Sequence, residues 1–509
     1  MATQHFSKSR YCSCIQCPKI LWLREHMPQE FDDSVMNQAI LSTGNEVGDL
    51  AMGLFGDFSE VPFTENIGDM IPATQKLIDE GVQNICEASF SYDGCFCSVD
   101  ILRNLGNKKV ELYEVKSSTE VKEIYEHDVS YQHYVLTKLG YDVQKVCLVH
   151  INNQYVRHGD LELDKLFTIV DMTETAKSKL VEVEENIKKF REYLNTEKEP
   201  ECKIGEHCSD PYECGFWAHC AVDMPKDNTP TVWDIASLRN KQWYYDNGYI
   251  TFEQLYDADV LTGKYLQQVE TEIKNLPAQI DKAEIKGFLN TLTYPLYFLD
   301  FETFNPAIPL YDNSSPYQQI VFQYSLHYIE KDGGELKHKE CLAYPGCDPR
   351  RQIAEQLCSD IPLDVCTTAY NMGFEKGKIK ALAELYPDLS EHLMNIHDNI
   401  KDLMIPFQKR WYYTKEMQGS YSIKYVLPAL FPDEPSLDYH NLEGVHNGGE
   451  ASNTFLAMQK MNKTELEEWR EHLLRYCELD TFAMVKVLEK LKEAVKSTTS
   501  PQSSEVCCS

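Results

Sequence analysis

The sequence predicts a multidomain α/β protein, and three observations predict it. The chain has 509 residues, too many for one ordinary core, so two or three domains are expected. Strand-like apolar runs alternate with segments of helical period in two separate regions, around residues 85–150 and 294–493. Between them Asp223 to Pro230 is polar and holds two prolines, the composition of a linker. The expected divisions are 1–225, a helical connector over 226–290, a second α/β domain over 291–495, and a disordered tail over 496–509, whose Cys507 and Cys508 are incidental.

Bulk composition sets limits. No run of about 18 apolar residues exists, so no membrane partner is expected. Met1 to His5 lacks the charged-then-apolar pattern of a secretory signal, so a cytoplasmic protein is expected. Eighteen cysteines in that compartment are not a disulfide framework. A net charge of −31 excludes a protein that coats nucleic acid through a dense basic surface, though not an enzyme that meets phosphates through metals and a local groove.

Taken in order, Cys17-Pro18 precedes an apolar run and predicts a helix opening at the proline, with the thiol near its N-terminus. Cys12 and Cys14 read as bystanders. Gly44 to Phe55 predicts a helix whose glycines permit close packing. Strands follow at Ala88–Tyr92, Phe96–Leu102 and Val110–Lys116, with Asp93-Gly94 as a hairpin turn. Asp100 would end the middle strand. Glu114 and Lys116, two apart, share a face of the next. A helix from Tyr125 to Leu139 carries Gln132, and a further strand spans Val143 to Ile151. Leu180, Val183, Ile187, Phe190 and Leu194 then mark a helix that leads to Cys202, Cys208, Cys214 and Cys220, with five residues between each and the next. Zinc modules space paired ligands more tightly, whereas iron–sulfur clusters accept wider intervals.

The β-β-β-α-β order with Asp100, Glu114-Val115-Lys116 and Gln132 resembles PD-(D/E)XK nucleases. With Cys17-Pro18 before it and the cysteines after it, it resembles the RecB-like nucleases that carry a 4Fe-4S cluster, among them the AddB nuclease domain and CRISPR-associated exonucleases. The resemblance implies a restriction-endonuclease-like domain. In it Asp100 and Glu114 would hold Mg2+ or Mn2+, with Lys116 and Gln132 as catalytic partners. It also implies Cys17, Cys208, Cys214 and Cys220 as cluster ligands, with Cys202 spare. A zinc site from the same cysteines with His207 or His219 is the alternative.

In the connector, Asn247 to Phe252 resembles the turn of a helix-hairpin-helix, with a plain helical connector as the alternative. Trp243-Tyr244-Tyr245 is either a base-stacking surface or core.

Leu296 to Phe304 is the stretch around which the second region is organised. Asp300 and Glu302 share one face of its strand while Leu299 and Phe301 face the opposite layer. Two neighbouring buried acids repel unless a cation lies between them, and a divalent metal is the usual solution. Strands at Ile320–Tyr328 and His338–Tyr344 form a hairpin, and a helix from Arg350 to Ser359 leads to a strand over Asp364–Asn371. Met372 to Glu375 opens another helix. Thr464-x-x-Glu467 reads as a capping box at the start of a long helix holding Tyr476 and Asp480 on one face.

The ordered set Asp300-x-Glu302, Asn371-x-x-Phe374-Glu375 and Tyr476-x-x-x-Asp480 resembles the DEDD exonucleases of the DnaQ and RNase T superfamily, in the subclass with tyrosine. The resemblance implies an RNase H-like fold and 3′–5′ removal of nucleotides with two divalent ions. Asp300, Glu302, Glu375 and Asp480 would be metal ligands, and Tyr476 would orient the attacking water. Glu375 stands where the family has aspartate. Asp402 is at most a helper, and Lys424, in a loop similar to a substrate-side loop of such enzymes, is a candidate phosphate contact, with a merely structural loop as the alternative. DNA, as single strands or ends, is the expected partner. RNA is the alternative, as is a nucleic-acid-binding scaffold with both nuclease folds degenerate. The sequence names no protein partner.

Overall fold

The computed structural model describes residues 6–35 and 38–496 of a mixed α/β chain that divides into two units. One unit takes the described residues up to Met224 together with Pro306–Gln318. The other takes Pro225–Asn305 and the described residues from Gln319 onward. The stretch expected as a separate connector therefore groups with the second unit, and the excursion 306–318 groups with the first. The tail expected over 496–509 lies outside the described residues from 497 on, as do residues 1–5.

The first unit is built on one sheet. Its strands are β1 (Phe6–Ser7), β2 (Ser59–Glu60), β3 (Asn84–Tyr92), β4 (Cys95–Gly106), β5 (Lys109–Lys116), β6 (Asp142–Ile151) and β7 (Phe167–Asp171). The order is β2-β3-β4-β5-β6-β7, with β1 pairing parallel to β4. Asp93 and Gly94 sit at φ 47° and 74°, the left-handed pair that a tight β3–β4 hairpin requires. β4 runs on to Gly106 because residues past Ile101 keep pairing with β5 across a bulge, so Asp100 lies within the strand and not at its end. The helix Glu123–Lys138 connects the parallel β5 and β6 and packs on β3, β4 and β6. Against this layer lies the helix Leu180–Asn195, burying Val183, Ile187, Phe190 and Leu194 as its periodicity predicts. Gly44 and Gly48 lie in the helix Gln38–Ala51, but a Cβ at either would meet open space. The expectation that they serve close packing is therefore corrected.

The second unit opens with short helices, Lys241–Asp246, Phe252–Asp257 and Gly263–Ile273, around Val232, Phe252, Leu255 and Val269, followed by the helix Lys282–Leu289, which packs on the helix Lys463–Lys496. Thr251 and Gln254 cap one of them reciprocally. Tyr244 and Tyr245 lean on this core while Trp243 stays 53 % exposed. β8 (Gln279–Ile280) follows, then a five-stranded sheet. Its strands are β9 (Leu296–Phe304), β10 (Ile320–Ile329), β11 (Leu336–Leu342), β12 (Cys366–Ala369) and β13 (Ile400–Asp402), ordered β11-β10-β9-β12-β13. β12 pairs parallel with β9 and with β13, and β10 pairs antiparallel with β9 and with β11. β14 (Tyr412–Tyr413) pairs with β8, which ties residues 225–290 into this unit.

Alternation along β9 sets two layers. Tyr297, Leu299 and Phe301 join Ile353, Leu357, Ile379 and Leu393 from the helices Arg350–Asp360, Gly373–Leu385 and Ser390–Asp398. The other face takes the helix Lys463–Lys496, which packs on β9, β10 and β11. That helix is capped by Asn462, whose side-chain oxygen accepts from the Thr464 and Glu465 amides while Glu465 accepts from the Asn462 amide. The box is thus Asn462-x-x-Glu465, two residues before the predicted Thr464-x-x-Glu467, because Asn accepts these amides as well as Ser or Thr does. Gly419, at φ +74°, marks a close approach: a Cβ there would stand 2.0 Å from Gln268 Oε1. Gln268 itself donates to the Gln418 carbonyl at 3.0 Å.

Candidate functional site

The second unit gathers its acids from elements far apart in sequence. Asp300 and Glu302 pair across the sheet with Ser325 and Gln323. Those two residues bond Thr481 and the Leu473 carbonyl of the helix Lys463–Lys496, so this is the face that meets the helix. Carboxylate oxygens of Asp300 and Glu302 and the Cys477 thiol all lie within 4.8 Å of one another. Asp480 follows Tyr476 by one helical turn and accepts a 2.7 Å bond from the Tyr439 hydroxyl. Glu375 stands in the first turn of the helix Gly373–Leu385, 2 % exposed, and its Oε2 has no hydrogen-bond partner.

These carboxyls disturb each other's ionisation. Burial first, then Asp480, Glu302 and Glu375, push Asp300 well above the carboxylate range. Burial and Asp480 do the same to Glu302, with Lys424 pulling the other way. Burial drives Glu375 up to about 8, with Asp402 adding to the rise. Asp480 reaches only about 6, because Tyr439, Lys424 and Tyr476 offset its burial. Buried acids with mutual repulsion and an orphaned oxygen form a donor set of the kind hard divalent cations take. A cleft of about 1070 Å³ opens beside them, lined by Lys424, Phe431, Tyr439, His440, His446 and Asn447 among others. Asp402 acts on the backbone instead, its Oδ1 accepting from the Asn371 and Met404 amides and fixing the loop that precedes the Glu375 helix.

In the first unit Asp100 marks a fork. β3 covers one edge of β4, while β1 takes residues 95–96 and β5 takes 101–106 on the other. In the gap the Val115 amide donates to Asp100 Oδ2 at 2.6 Å. Glu114 Oε1 accepts from both Lys116 and Lys8 at 2.6 Å, and Lys116 also donates to Asp128 Oδ2 at 2.6 Å. Gln132, fully buried, bridges Glu114 and Asp128 at 2.7 and 2.8 Å. Burial, Asp100 and Asp128 raise Glu114 to about 7 against the pull of both lysines. For Asp128 the lysines outweigh burial and hold its carboxyl below the usual range.

The third constellation is thiolic. Cys17 caps the helix Pro18–His26, with proline in its first turn. Cys17, Cys202, Cys208, Cys214 and Cys220 line one pocket with His207, floored by Ile20, Leu23 and Phe216. Cys202, expected as the spare, meets His207 Nε2 at 3.4 Å, and the two come within 4.8 Å of the Cys17 sulfur. His219 is absent from this pocket lining and faces Glu199 at 3.2 Å. Cys14 is buried in the main core of the unit, and Cys12 packs against it.

Sequence reasoning missed four participants. Asp128 lies four residues before Gln132, a spacing that shares a helix face and could have exposed it. Cys477, three residues before Asp480 on the same helix, had a similar signal. Lys8 and Tyr439 carry none, because each reaches its site by tertiary packing alone.

The protein is thus a mixed α/β chain of two units, one with a buried carboxylate cluster beside a cleft and one with a lysine-filled acidic fork and a thiol-lined pocket. Residues 297–422 match the family profile of a domain of unknown function, DUF2779. The chain is 28 % identical over 242 residues to the uncharacterised protein UU173 of Ureaplasma parvum, covering 44 % of this chain and 34 % of that one. It is 26 % identical over 230 residues to the uncharacterised protein MG366 of Mycoplasma genitalium, covering 42 % and 34 %. Each match spans about a third of the curated relative's length. No solved structure matches the chain. Among the described residues no helix is long and apolar enough to cross a membrane.

Proposed function

We propose that the second unit is a divalent-metal-dependent 3′–5′ exonuclease of the DEDD type, acting on nucleic acid in the cytosol. The observation that carries this reading is the convergence of Asp300, Glu302, Asp480 and the orphaned Glu375 oxygen beside Tyr476. Mg2+ or Mn2+ held there would stabilise the attacking and leaving oxygens of a phosphodiester. Asp300 and Glu302, fixed on the sheet, and Asp480, on the helix, would set the position of the ions. Tyr476 would orient the attacking water through its hydroxyl. Tyr439 keeps Asp480 nearer its ionised form, and Lys424 in the cleft lining is suited to a substrate phosphate.

The test uses single-stranded DNA and RNA labelled at either end, with Mg2+ or Mn2+. Asp300→Asn and Asp480→Asn should each lower hydrolysis from the 3′ end by about a thousandfold, about 4 kcal/mol of barrier. Unchanged degradation by both variants removes the assignment. Comparing the two polymers decides between DNA and RNA.

For the first unit we propose a RecB-like nuclease fold stapled by a 4Fe-4S cluster, its thiols drawn from Cys17, Cys208, Cys214 and Cys220. The convergence of these sulfurs in one apolar-floored pocket supports the cluster. Anaerobic purification should give a brown protein with about four irons per chain. A colourless, zinc-loaded preparation with ligands including Cys17, Cys202 and His207 is the opposing outcome. One observation favours a second reading of the acidic fork: Lys8 and Lys116 already satisfy Glu114 and Asp128. On that reading this unit binds nucleic acid without cutting it. Tight binding, with no metal-dependent cleavage left in the Asp300→Asn variant, would support it.

A further inference from the structure

A second group of metal-ligating side chains stands in the second unit, outside the carboxylate cluster. His327 on β10 and His338 on β11 are direct cross-strand partners. Glu478 projects toward them from the helix Lys463–Lys496. One nitrogen of each imidazole and one Glu478 oxygen lie within 4.8 Å of one another. We propose that His327, His338 and Glu478 form a transition-metal site, with zinc as its ion, that clips the β10–β11 hairpin to the helix carrying Tyr476 and Asp480.

Ring geometry supports a shared ion. A metal–nitrogen bond of about 2.0–2.1 Å puts each imidazole centroid roughly 3.1 Å from the metal. Two rings then stand about 4.4 Å apart at a right angle and about 5.1 Å apart at the tetrahedral angle. The two centroids here are 4.5 Å apart. Each ring is also held from behind by a hydroxyl, as metal-bound histidines commonly are. Thr481 Oγ1 engages His327 Nδ1 at 2.8 Å, and Ser325 Oγ engages His338 Nε2 at 2.9 Å. Those hydroxyls meet each other at 2.6 Å, and Thr481 Oγ1 can give its proton to the Glu478 carbonyl at 3.1 Å, which leaves both hydroxyls able to accept from the ring N–H groups. His338 Nδ1 faces Glu478 Oε1 at 3.9 Å, a separation an ion can span.

The surroundings suit a borderline cation better than a hard one. Two imidazoles and one carboxylate are a zinc-type set, whereas Mg2+ and Ca2+ take oxygen. His327 is 4 % exposed, and burial with the neighbouring His338 drives its pKa down to about 4, so it is neutral and ready to ligate at pH 7. Glu478, its side chain 49 % exposed, leaves a route from solvent. Glu340, two residues along β11 from His338, lies on the same side of the strand, outside the group of three ligands. Burial and Glu478 raise its carboxyl while His338 lowers it, which places all three groups within electrostatic reach.

The experiment uses the full chain, stripped with chelator, returned to excess Mg2+ to fill the carboxylate cluster, and dialysed against micromolar zinc. Zinc and iron per chain are counted by elemental analysis, and melting is followed with and without zinc. The expected result is one fewer zinc in His338→Asn and Glu478→Gln than in the wild type at equal iron. The zinc-dependent rise in melting temperature should be larger in the wild type than in either variant. Glu478→Gln changes a half-exposed side chain by one atom and keeps the fold, so it decides even if His338→Asn melts early. Equal zinc in the wild type and Glu478→Gln, or no zinc in the wild type beyond that held with the cysteines, overturns the proposal.

Discussion

Glu375→Gln isolates the cost of burying one carboxyl of the cluster. In the metal-free protein Glu375 is raised from 4.5 to about 8, so the folded state holds a proton that the unfolded chain releases. Between about pH 4.5 and pH 8 the native state binds more protons than the unfolded state, and stability falls as pH rises through that window. Ionising the buried carboxyl above pH 8 costs about 4–5 kcal/mol at 1.36 kcal/mol per pH unit. The amide removes this cost but leaves a buried polar group incompletely paired, a loss of roughly 1–3 kcal/mol. The net gain is about 2 kcal/mol, or roughly 5 °C for a unit of this size. Calorimetry in chelator should therefore find Glu375→Gln melting above the wild type at pH 8.5 and level with it or below it at pH 4.5. Saturating Mn2+ should reverse the order, because a bound cation returns to the wild type what burial of the carboxylate took and the variant lacks a ligand. If the variant is no more stable at pH 8.5, or if Mn2+ raises both proteins equally, the acids do not share a cation.

Two further outcomes are expected. Tyr439→Phe removes the 2.7 Å bond that lowers the Asp480 carboxyl, so the acid limb of the metal-dependent pH–rate profile should move up by about one pH unit. An unmoved limb would show that Tyr439 only packs. Gly419→Ala forces a methyl to within 2.0 Å of Gln268 Oε1 at a positive φ. It should lower the stability of the second unit by about 2–4 kcal/mol in thermal melts, and a loss below about 1 kcal/mol would mean the loop yields freely.

Much of the second unit was legible because its signals are local. Alternation along β9 separates Asp300 and Glu302 from Leu299 and Phe301, and a helical repeat aligns Tyr476 with Asp480. The thiol pocket was legible in part: the Cys17-Pro18 helix start is a local rule, but the approach of Cys202 and His207 to Cys17 is set by loop folding. Lys8 was invisible, since nothing in Phe6-Ser7-Lys8 tells that β1 lies beside β4 and delivers an ammonium to Glu114. The helix glycines show the opposite error, in which residue type suggested contact where there is open space.

The excursion 306–318 has a consequence for how the protein is made. The first unit is not finished when its last helix has left the ribosome: Ala307, Ile308 and Tyr317 belong to a cluster with Val47, Tyr113 and Phe167, and the Tyr317 hydroxyl donates to the Ser117 carbonyl. Those parts must wait until about eighty further residues of the other unit have been translated. During synthesis the N-terminal half therefore passes through a stage with an uncovered apolar patch, and a fragment ending near residue 225 would carry that patch permanently.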